Sequence, residues 1–572
     1  MQRHLPVFYV LISLLVACAR QGAPTGGPKD TTPPSVDTSA STPNFSTRFT
    51  QKRIELTFDE WVTLSDPATQ IVVSPPLAKR PEAVLKGKTV VLSFDKDEIL
   101  RPNTTYTVNF GNSVKDFHES NVAKDLRFVF STGDFIDSLG FRGIVTDAFS
   151  GDPVENISVM LYENLADTAI QKERPYYFSR TDKNGQFTFE NLKSGNFRVV
   201  AIDDTDQNLR WTGETERMGF TDSTLQLMDT LRPALRLSLF KPRPALRISN
   251  PGAGRYGLVT LVFNAPLESY TVTPLAPESL ITTLEKEPDS LMLWYDLPVD
   301  TAWSLVLSYQ NDTAALMSDT FSVKKLSRGN FLQNHRIGFA DAVPPPAAQG
   351  RGRGAGTPAP AAAAPVKTIN QTAAAPAALL FNYPITAFDT SLWLLTLDSA
   401  SQRTFSVEPD TQTVRGLQLK LTWKAGKNHS LILLPGAVTD FWGTSNADTL
   451  RRIFNVFSEK QLGALAVNMQ GLRPGANYVF QLMNGATLVT ERRFMADIAT
   501  RTEKFSDLQV ATYSVRLIED RNGNGRWDTG SFAEKRQPET VYNKKLDPLR
   551  ANWEVETDLK IESESLQQKK RN

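Results

Sequence analysis

Apolar and polar residues alternate with a period of two through most of this chain. Arg53-Ile-Glu-Leu-Thr-Phe58 places Ile54, Leu56 and Phe58 on one face, the pattern of a half-buried strand. Val84–Phe94, Tyr106–Phe110 and Leu126–Phe130 repeat it, with turns at Pro75-Pro76 and Pro102-Asn103. The same alternation marks Gly143–Asp147, Val159–Tyr162, Gln186–Phe189 and Phe197–Val199, then Leu258–Phe263, Leu291–Tyr295 and Trp303–Ser308. Asn184-Gly185 stands between two such runs and predicts a tight hairpin with positive φ at both central residues. Two stretches break the rhythm. Leu5–Ala17 is continuously apolar, and Pro344 through Pro376 is dense in Pro, Ala and Gly with Arg351 and Arg353 but no core-forming residues, which predicts an extended linker over 343–378. The fold class expected is all-β, with tandem β-sandwich domains.

Within that pattern two families are recognisable. Ile54-x-Leu56-x-Phe58-Asp59-Glu60, Asn103-Thr-Thr-Tyr106 and Ser113-Val114-Lys115-Asp116 resemble the bacterial Ig-like domain of the SbsA S-layer type, over residues 36–133. The resemblance implies a seven-strand type of sandwich without catalysis. Gly143-Ile-Val-Thr-Asp147, Ser150-Gly-Asp-Pro-Val154, Thr181–Phe189 and Leu192–Val199 are similar to the carboxypeptidase regulatory-like, or transthyretin-like, β-sandwich, over 138–240. In peptidases that module is an accessory unit. Residues 244–326 read as a small β domain. The series then recurs. Ala437-Val-Thr-Asp-Phe441 matches Ser113–Phe117 at an offset of about 324 residues, and Phe505–Leu508 with Tyr513–Arg516 matches Phe189–Leu192 with Phe197–Val200 at about 316. Near-equal offsets across two module types indicate a duplicated pair: a divergent Ig-like repeat at 379–458 and a divergent transthyretin-like repeat at 462–560, before a polar tail at 561–572.

The apolar N-terminus changes the picture of where this string of domains resides. Met1–His4 is basic, Leu5–Ala17 is too short to span a bilayer permanently, and the chain's single cysteine, Cys18, follows directly. This is the layout of a secretory signal peptide over 1–17. Leu15-Val-Ala-Cys18 resembles the lipobox of bacterial lipoproteins, which implies acylation of the Cys18 thiol after cleavage before it. Two or three acyl chains, at about 0.8 kcal/mol per buried CH₂, anchor a protein firmly. The mature residue Ala19, rather than Asp, fits outer-membrane sorting in that family. Residues 18–35, rich in Gly and Pro, are expected to tether the first domain to the lipid. The expected location is therefore the cell envelope, lipid-anchored at the outer membrane, on either its periplasmic or its surface face.

Composition excludes some roles. Lys+Arg 63 against Asp+Glu 62 gives a net charge of +1, so nothing asks for nucleic acid. One cysteine allows no intrachain disulfide. The histidines, His4, His118, His335 and His429, have no zinc spacing, and no HExxH, G-x-S-x-G, phosphate loop or dinucleotide fingerprint occurs. No catalytic residue and no certain cofactor is expected. The chain reads as a non-enzymatic structural or adhesive scaffold whose partners are the membrane, through Cys18, and an envelope protein or a glycan. A glycan-binding accessory lipoprotein and an unrecognised hydrolase are the alternatives.

Chemistry concentrates in two related acidic loops. Asp520-Arg-Asn522-Gly-Asn524-Gly525-Arg526-Trp527-Asp528 has oxygen ligands at positions 1, 3, 5 and 9, glycine at 6 and the Arg526 carbonyl at 7, as in a calcium loop; Ser531 stands where the bidentate Glu would be. Asp520, Asn522, Asn524, Arg526 and Asp528 are thus candidate Ca2+ ligands, of affinity in the ~10⁻⁴–10⁻³ M extracellular range. The competing reading is a turn closed by its own Asp and Asn side chains. Asp204-Thr-Asp206-Gln-Asn208 is the first-copy counterpart; lacking glycine at position 6, it reads more readily as a plain turn. Trp61, Trp211, Trp442 and Trp527 fall near strand ends, where they either stack on sugars or plug sandwich ends. Asp116 and Asp440 are expected to end strands by accepting backbone N–H groups.

Overall fold

The computed structural model describes residues 30–341 and 366–561, apart from 124, 214, 229–233, 245, 266, 268, 288, 311–315, 398–399 and 403. Cys18, the signal peptide, most of the 18–35 tether, most of the linker and all but Ile561 of the tail lie outside the described residues. Strands make up 49% of the described residues and helix 4%, and the strands build tandem β-sandwiches. The chain divides into two compact units, residues 1–147 with 152–239, and 148–151 with 240–572.

In the first unit, Arg53–Thr57, Thr89–Ser93 and Glu82–Lys86 form one sheet, and Val72–Ser74, Thr105–Asn109 and Arg127–Ser131 form the facing one. Val62–Leu64 pairs with Val114–Asp116 as a ribbon at one end. Ile54, Leu56 and Phe58 point into the core with Val108, Phe128 and Phe130, all essentially buried, because strand alternation sends every second side chain inward. The chain joins this sandwich earlier than composition suggests. Ser35 donates from its N–H to Asp59 (2.9 Å), Val36 bridges Phe58, and Asn121 Nδ2 donates to the Asp30 carbonyl (3.0 Å). Residues 30–35 therefore lie along the domain and are not tether.

The second sandwich packs Gln186–Leu192, Leu139–Asp147 and Ala234–Leu239 against Tyr177–Arg180, Ser158–Tyr162, Gly195–Ile202 and Met218–Phe220. The expected hairpin at Asn184-Gly185 does not form. Tyr177–Arg180 pairs with Ser158–Tyr162, whereas Gln186–Leu192 pairs with Leu139–Asp147, so the turn carries the chain from one sheet to the other. Only Gly185 has positive φ (+69°). The Asp182 carboxylate closes the turn by accepting the N–H groups of Asn184 and Gln186, both at 2.8 Å, which removes the need for a second left-handed residue. Within this unit the first two sandwiches touch through Arg127–Glu190 (3.1 Å), the Asp137 N–H to Thr105 Oγ1 (2.9 Å) and Arg101 over the Tyr176 ring.

In the second unit, the small β domain is a complete sandwich of a four-stranded sheet (Ile248–Arg255, Leu258–Phe263, Ser290–Asp296, Ile281–Glu287) and a three-stranded one (Tyr270–Leu275, Trp303–Gln310, Leu316–Val323). It shares one continuous core with the sandwich that follows. Trp442 Nε1 donates to the Tyr295 carbonyl (3.0 Å), and a Cβ on Gly257, whose φ is +88°, would sit 2.5 Å from the Trp442 ring. Buried Glu285 accepts from Trp294 Nε1 (3.1 Å), Arg415 Nε (2.9 Å) and the Thr413 hydroxyl. The Pro/Ala/Gly-rich segment is not linker to its end. Thr368–Gln371 is a strand lying parallel to Leu450–Val456, and Ala377–Leu380 opens the next sheet. Ile369 and Leu379 supply the alternating apolar positions there.

The first and fourth sandwiches share the wiring of one sheet and a ribbon, and the second and last share the pairing around one central strand. Ala377–Leu380, Gly416–Leu421 and Phe405–Pro409 form a sheet wired as Arg53–Thr57, Thr89–Ser93 and Glu82–Lys86 are; Ile385–Phe388 pairs with Val438–Asp440 as Val62–Leu64 does with Val114–Asp116. In the last sandwich Leu462–Gln470 pairs antiparallel with Thr500–Gln509 and parallel with Glu554–Lys560. Leu139–Asp147 makes the same antiparallel and parallel pairs in the second. Among the described residues no helix is long and apolar enough to cross a membrane.

Candidate functional site

Each acidic loop joins two paired strands of its sandwich. The first connects Gly195–Ile202 to Met218–Phe220, and the second connects Tyr513–Asp520 to Val541–Lys545. At the base of the first, Arg217 bonds Asp203 (2.9 Å) and reaches Asp147 (3.4 Å). These contacts fix where the loop leaves the sheet.

The loop interiors superimpose in chemistry residue by residue. Asp204 accepts the N–H groups of Asn208 (3.0 Å) and Leu209 (3.1 Å); Asp520 accepts those of Asn524 (3.1 Å) and Gly525 (2.8 Å). Asn208 Oδ1 accepts Arg210 N–H at 2.6 Å, and Asn524 Oδ1 accepts Arg526 N–H at 3.0 Å. Backbone conformation is shared too. Gly523 and Gly525 have φ of +73° and +77°, while Gln207 and Leu209 have +56° and +58°. The first loop thus adopts the left-handed geometry without the glycines that make it inexpensive.

The loops differ in how their carboxylates are satisfied. In the second, Asp528 Oδ2 accepts from Asn522 Nδ2 (2.6 Å) and Asn524 Nδ2 (2.7 Å), and Arg526 Nε lies 3.7 Å from Asp528 Oδ1. Buried Glu539, which the sequence pattern did not single out, closes that loop. Its Oε1 accepts Arg521 N–H (2.7 Å), its Oε2 accepts Asp528 N–H (3.0 Å), and its carbonyl accepts Trp527 Nε1 (2.9 Å). Burial raises the Glu539 carboxyl above the ordinary range. The five residues Asp520, Asn522, Asn524, Arg526 and Asp528 are brought together, and they are held by bonds among themselves.

In the first loop Glu216 stands where Glu539 does, two residues before the returning strand, and its Oε2 accepts Thr212 N–H at 2.8 Å. Its Oε1 is buried without a hydrogen-bond partner, in a side chain only 3% exposed. Asp204, Asp206 and Glu216 each offer an oxygen within 4.8 Å of the others. Burial, and then Asp206 beside it, push the Asp204 carboxyl up to about 6. Gln207 and Leu209 also line a cavity with Ala68, Ile71, Val73 and Phe178 of the same unit. Sequence spacing missed Glu216 because it lies one position beyond the twelfth of the loop; the only available signal was a Glu two residues before the next strand in both copies.

The remaining candidates separate cleanly. Asp116 accepts the N–H groups of Glu119, Ser120 and Asn121 (2.6–3.0 Å), and Asp440 those of Trp442 and Thr444 (both 3.0 Å). Asp440 Oδ2 also bonds His335 Nε2, and both side chains are fully enclosed among Phe331, Tyr383 and Trp442. Trp442 is therefore core. Trp211 and Trp527 are half-buried, whereas Trp61 is 58% exposed beside Phe117 at 61%, the Phe117 N–H donating to the Trp61 carbonyl (3.0 Å).

Comparison with solved structures gives low-scoring likenesses to strings of sandwiches. The major pilin subunit BcpA of Bacillus cereus is 10% identical, covering 74% of this chain and 99% of the pilin, at a TM-score of 0.12. The S-layer protein SbsC is 12% identical over 88% of this chain and 66% of its own, at 0.14. The glycan-binding SGBP-B of the Bacteroides ovatus mixed-linkage glucan utilization locus is 11% identical over 65% and 85%, at 0.15. Scores this low carry no inference about ligands. No curated protein matches. Residues 30–132 match the family profile of the bacterial Ig-like domain, starting where Asp30 to Ser35 join the first sandwich.

Proposed function

We propose that this chain is a non-enzymatic envelope lipoprotein, anchored through Cys18 at the outer membrane, whose tandem sandwiches form a structural or adhesive scaffold. The observation that carries the reading is the duplicated sandwich pair following a lipobox-like Leu15-Val-Ala-Cys18. Repetition of modules multiplies reach and contact surface. Consistent with that role, the His335–Asp440 hydrogen bond and the Glu285–Arg415 ion pair lie within packed cores, where they fix the geometry of the third and fourth sandwiches. The test is fractionation and mass spectrometry of the mature N-terminus. The reading expects a diacylglyceryl group on Cys18 and release of Cys18→Ala into the soluble fraction. An unmodified thiol on a secreted chain, or robust peptidase or glycosidase turnover by the purified protein, overturns it.

A second reading, glycan capture, is favoured by Trp61 and Phe117, both exposed and joined by a backbone hydrogen bond, since exposed indoles stack on sugar rings. Retention on a polysaccharide affinity gel, lost in Trp61→Ala, would select it; retention unaffected by that change would reject this surface.

A further inference from the structure

We infer that the loop at 204–216 is a calcium site in which Asp204, Asp206 and Glu216 are the carboxylate ligands. Three observations converge. The three carboxylates present oxygens within 4.8 Å of one another, the greatest separation open to two oxygens that each lie about 2.4 Å from one Ca2+. Among the described residues none of the three is in an ion pair, the nearby Arg217 being taken by Asp147 and Asp203, and Asp206 is met only by Asn208, through its N–H and Nδ2. Glu216 Oε1 is buried and has no hydrogen-bond donor, although its partner oxygen is held by Thr212 N–H. A buried carboxylate oxygen without a donor is costly, and a cation at the centre of the cluster removes that cost.

The chemistry selects the ion. All three ligands are hard oxygens; the Asp-x-Asp-x-Asn run sets Asp204 and Asp206 on a tight loop, and Glu216 follows at the loop's return as the potentially bidentate member. Calcium accepts six to eight such ligands in irregular geometry, whereas magnesium demands a near-octahedral shell at about 2.0–2.1 Å. The second loop has no equivalent vacancy in its bonding, because both Glu539 oxygens accept backbone N–H groups. A consequence follows for the fold. The bound ion would fix Gln207 and Leu209, which line the cavity shared with the first sandwich, and so stiffen the junction of the two domains. This inference is independent of the lipid anchor.

The test is titration of the full chain, stripped of metal, with calcium chloride alone, followed by calorimetry and thermal melting. The expected result is saturable binding with Kd of order 10⁻⁴–10⁻³ M and a raised melting temperature. Glu216→Gln should weaken this binding at least about tenfold while melting no lower than the parent in EDTA, which separates ligand loss from misfolding. Asp206→Asn, at an exposed position, provides the second variant and should weaken binding in the same direction. Asp520→Asn should leave the Glu216-dependent binding intact. No binding up to about 10 mM calcium, an isotherm unchanged by both Glu216→Gln and Asp206→Asn, or equal affinity for magnesium chloride would overturn the assignment.

Discussion

The loops at 204–216 and 520–539 descend from one pattern and solve its electrostatics in opposite ways. Both wrap an Asp carboxylate around two backbone N–H groups and use the Asn four residues later, Asn208 or Asn524, to accept the N–H two residues beyond it, of Arg210 or Arg526. In the second, glycines occupy the left-handed positions and Glu539 bonds two N–H groups. In the first, Gln207 and Leu209 take up the same left-handed geometry, and Glu216 bonds one N–H and leaves an oxygen bare. The second loop is complete as protein. The first gathers three carboxylates, none of them in an ion pair among the described residues, and leaves Glu216 Oε1 without a donor. The contrast teaches that a calcium-like spacing is a poor guide on its own; what distinguishes the loops is the count of donors reaching each carboxylate oxygen.

The largest expected effect comes from deleting the closing carboxylates. Glu539→Ala leaves the part-buried N–H groups of Arg521 and Asp528 without their carboxylate acceptor, which should cost about 2–4 kcal/mol in urea unfolding at neutral pH. Glu216→Ala in EDTA removes a single acceptor, from Thr212, and should cost about 1 kcal/mol or less. Equal losses would erase the distinction between the loops.

A smaller effect tests the backbone. Gln207→Gly relieves a left-handed non-glycine residue and removes a buried amide oxygen that lacks a donor; melting in EDTA should show a gain of about 1 kcal/mol. A loss would mean that the Gln207 side chain contributes more than its strain subtracts.

The smallest effect is in pH. Burial and Asp206 push the Asp204 carboxyl up to about 6 in the folded chain, above its ordinary value of about 3.8, so the folded chain binds that proton more tightly than the unfolded chain. The stabilisation it brings is fully present below about pH 3.8 and is lost as pH rises through about 6. In EDTA, the melting temperature of Asp204→Asn relative to the parent should therefore move in favour of the variant between about pH 4.5 and 7.5. A difference that ignores pH would contradict the crowding of Asp204 by burial and Asp206.

Much of the architecture is legible from residue order. Ile54, Leu56 and Phe58 are buried as their alternation requires, and the Asp116 to Asp440 offset marks two ribbons with the same pairing. Local pattern could not reveal that Trp442 enters the core of the preceding sandwich, since its partners Trp294 and Tyr295 lie far away in sequence. The Asn184-Gly185 turn misleads because hairpin chemistry and sheet-to-sheet crossings draw on the same residues, and Asp182 decides between them. Glu216 escapes because loop spacing was set by glycines that the first copy lacks.

The most direct test of the central claim is an anomalous difference map from a crystal of the full chain soaked in calcium chloride. The account predicts a peak between Asp204, Asp206 and Glu216, about 2.4 Å from their oxygens. A peak at the 520–539 loop with none at Glu216, or no peak at either loop, would contradict it.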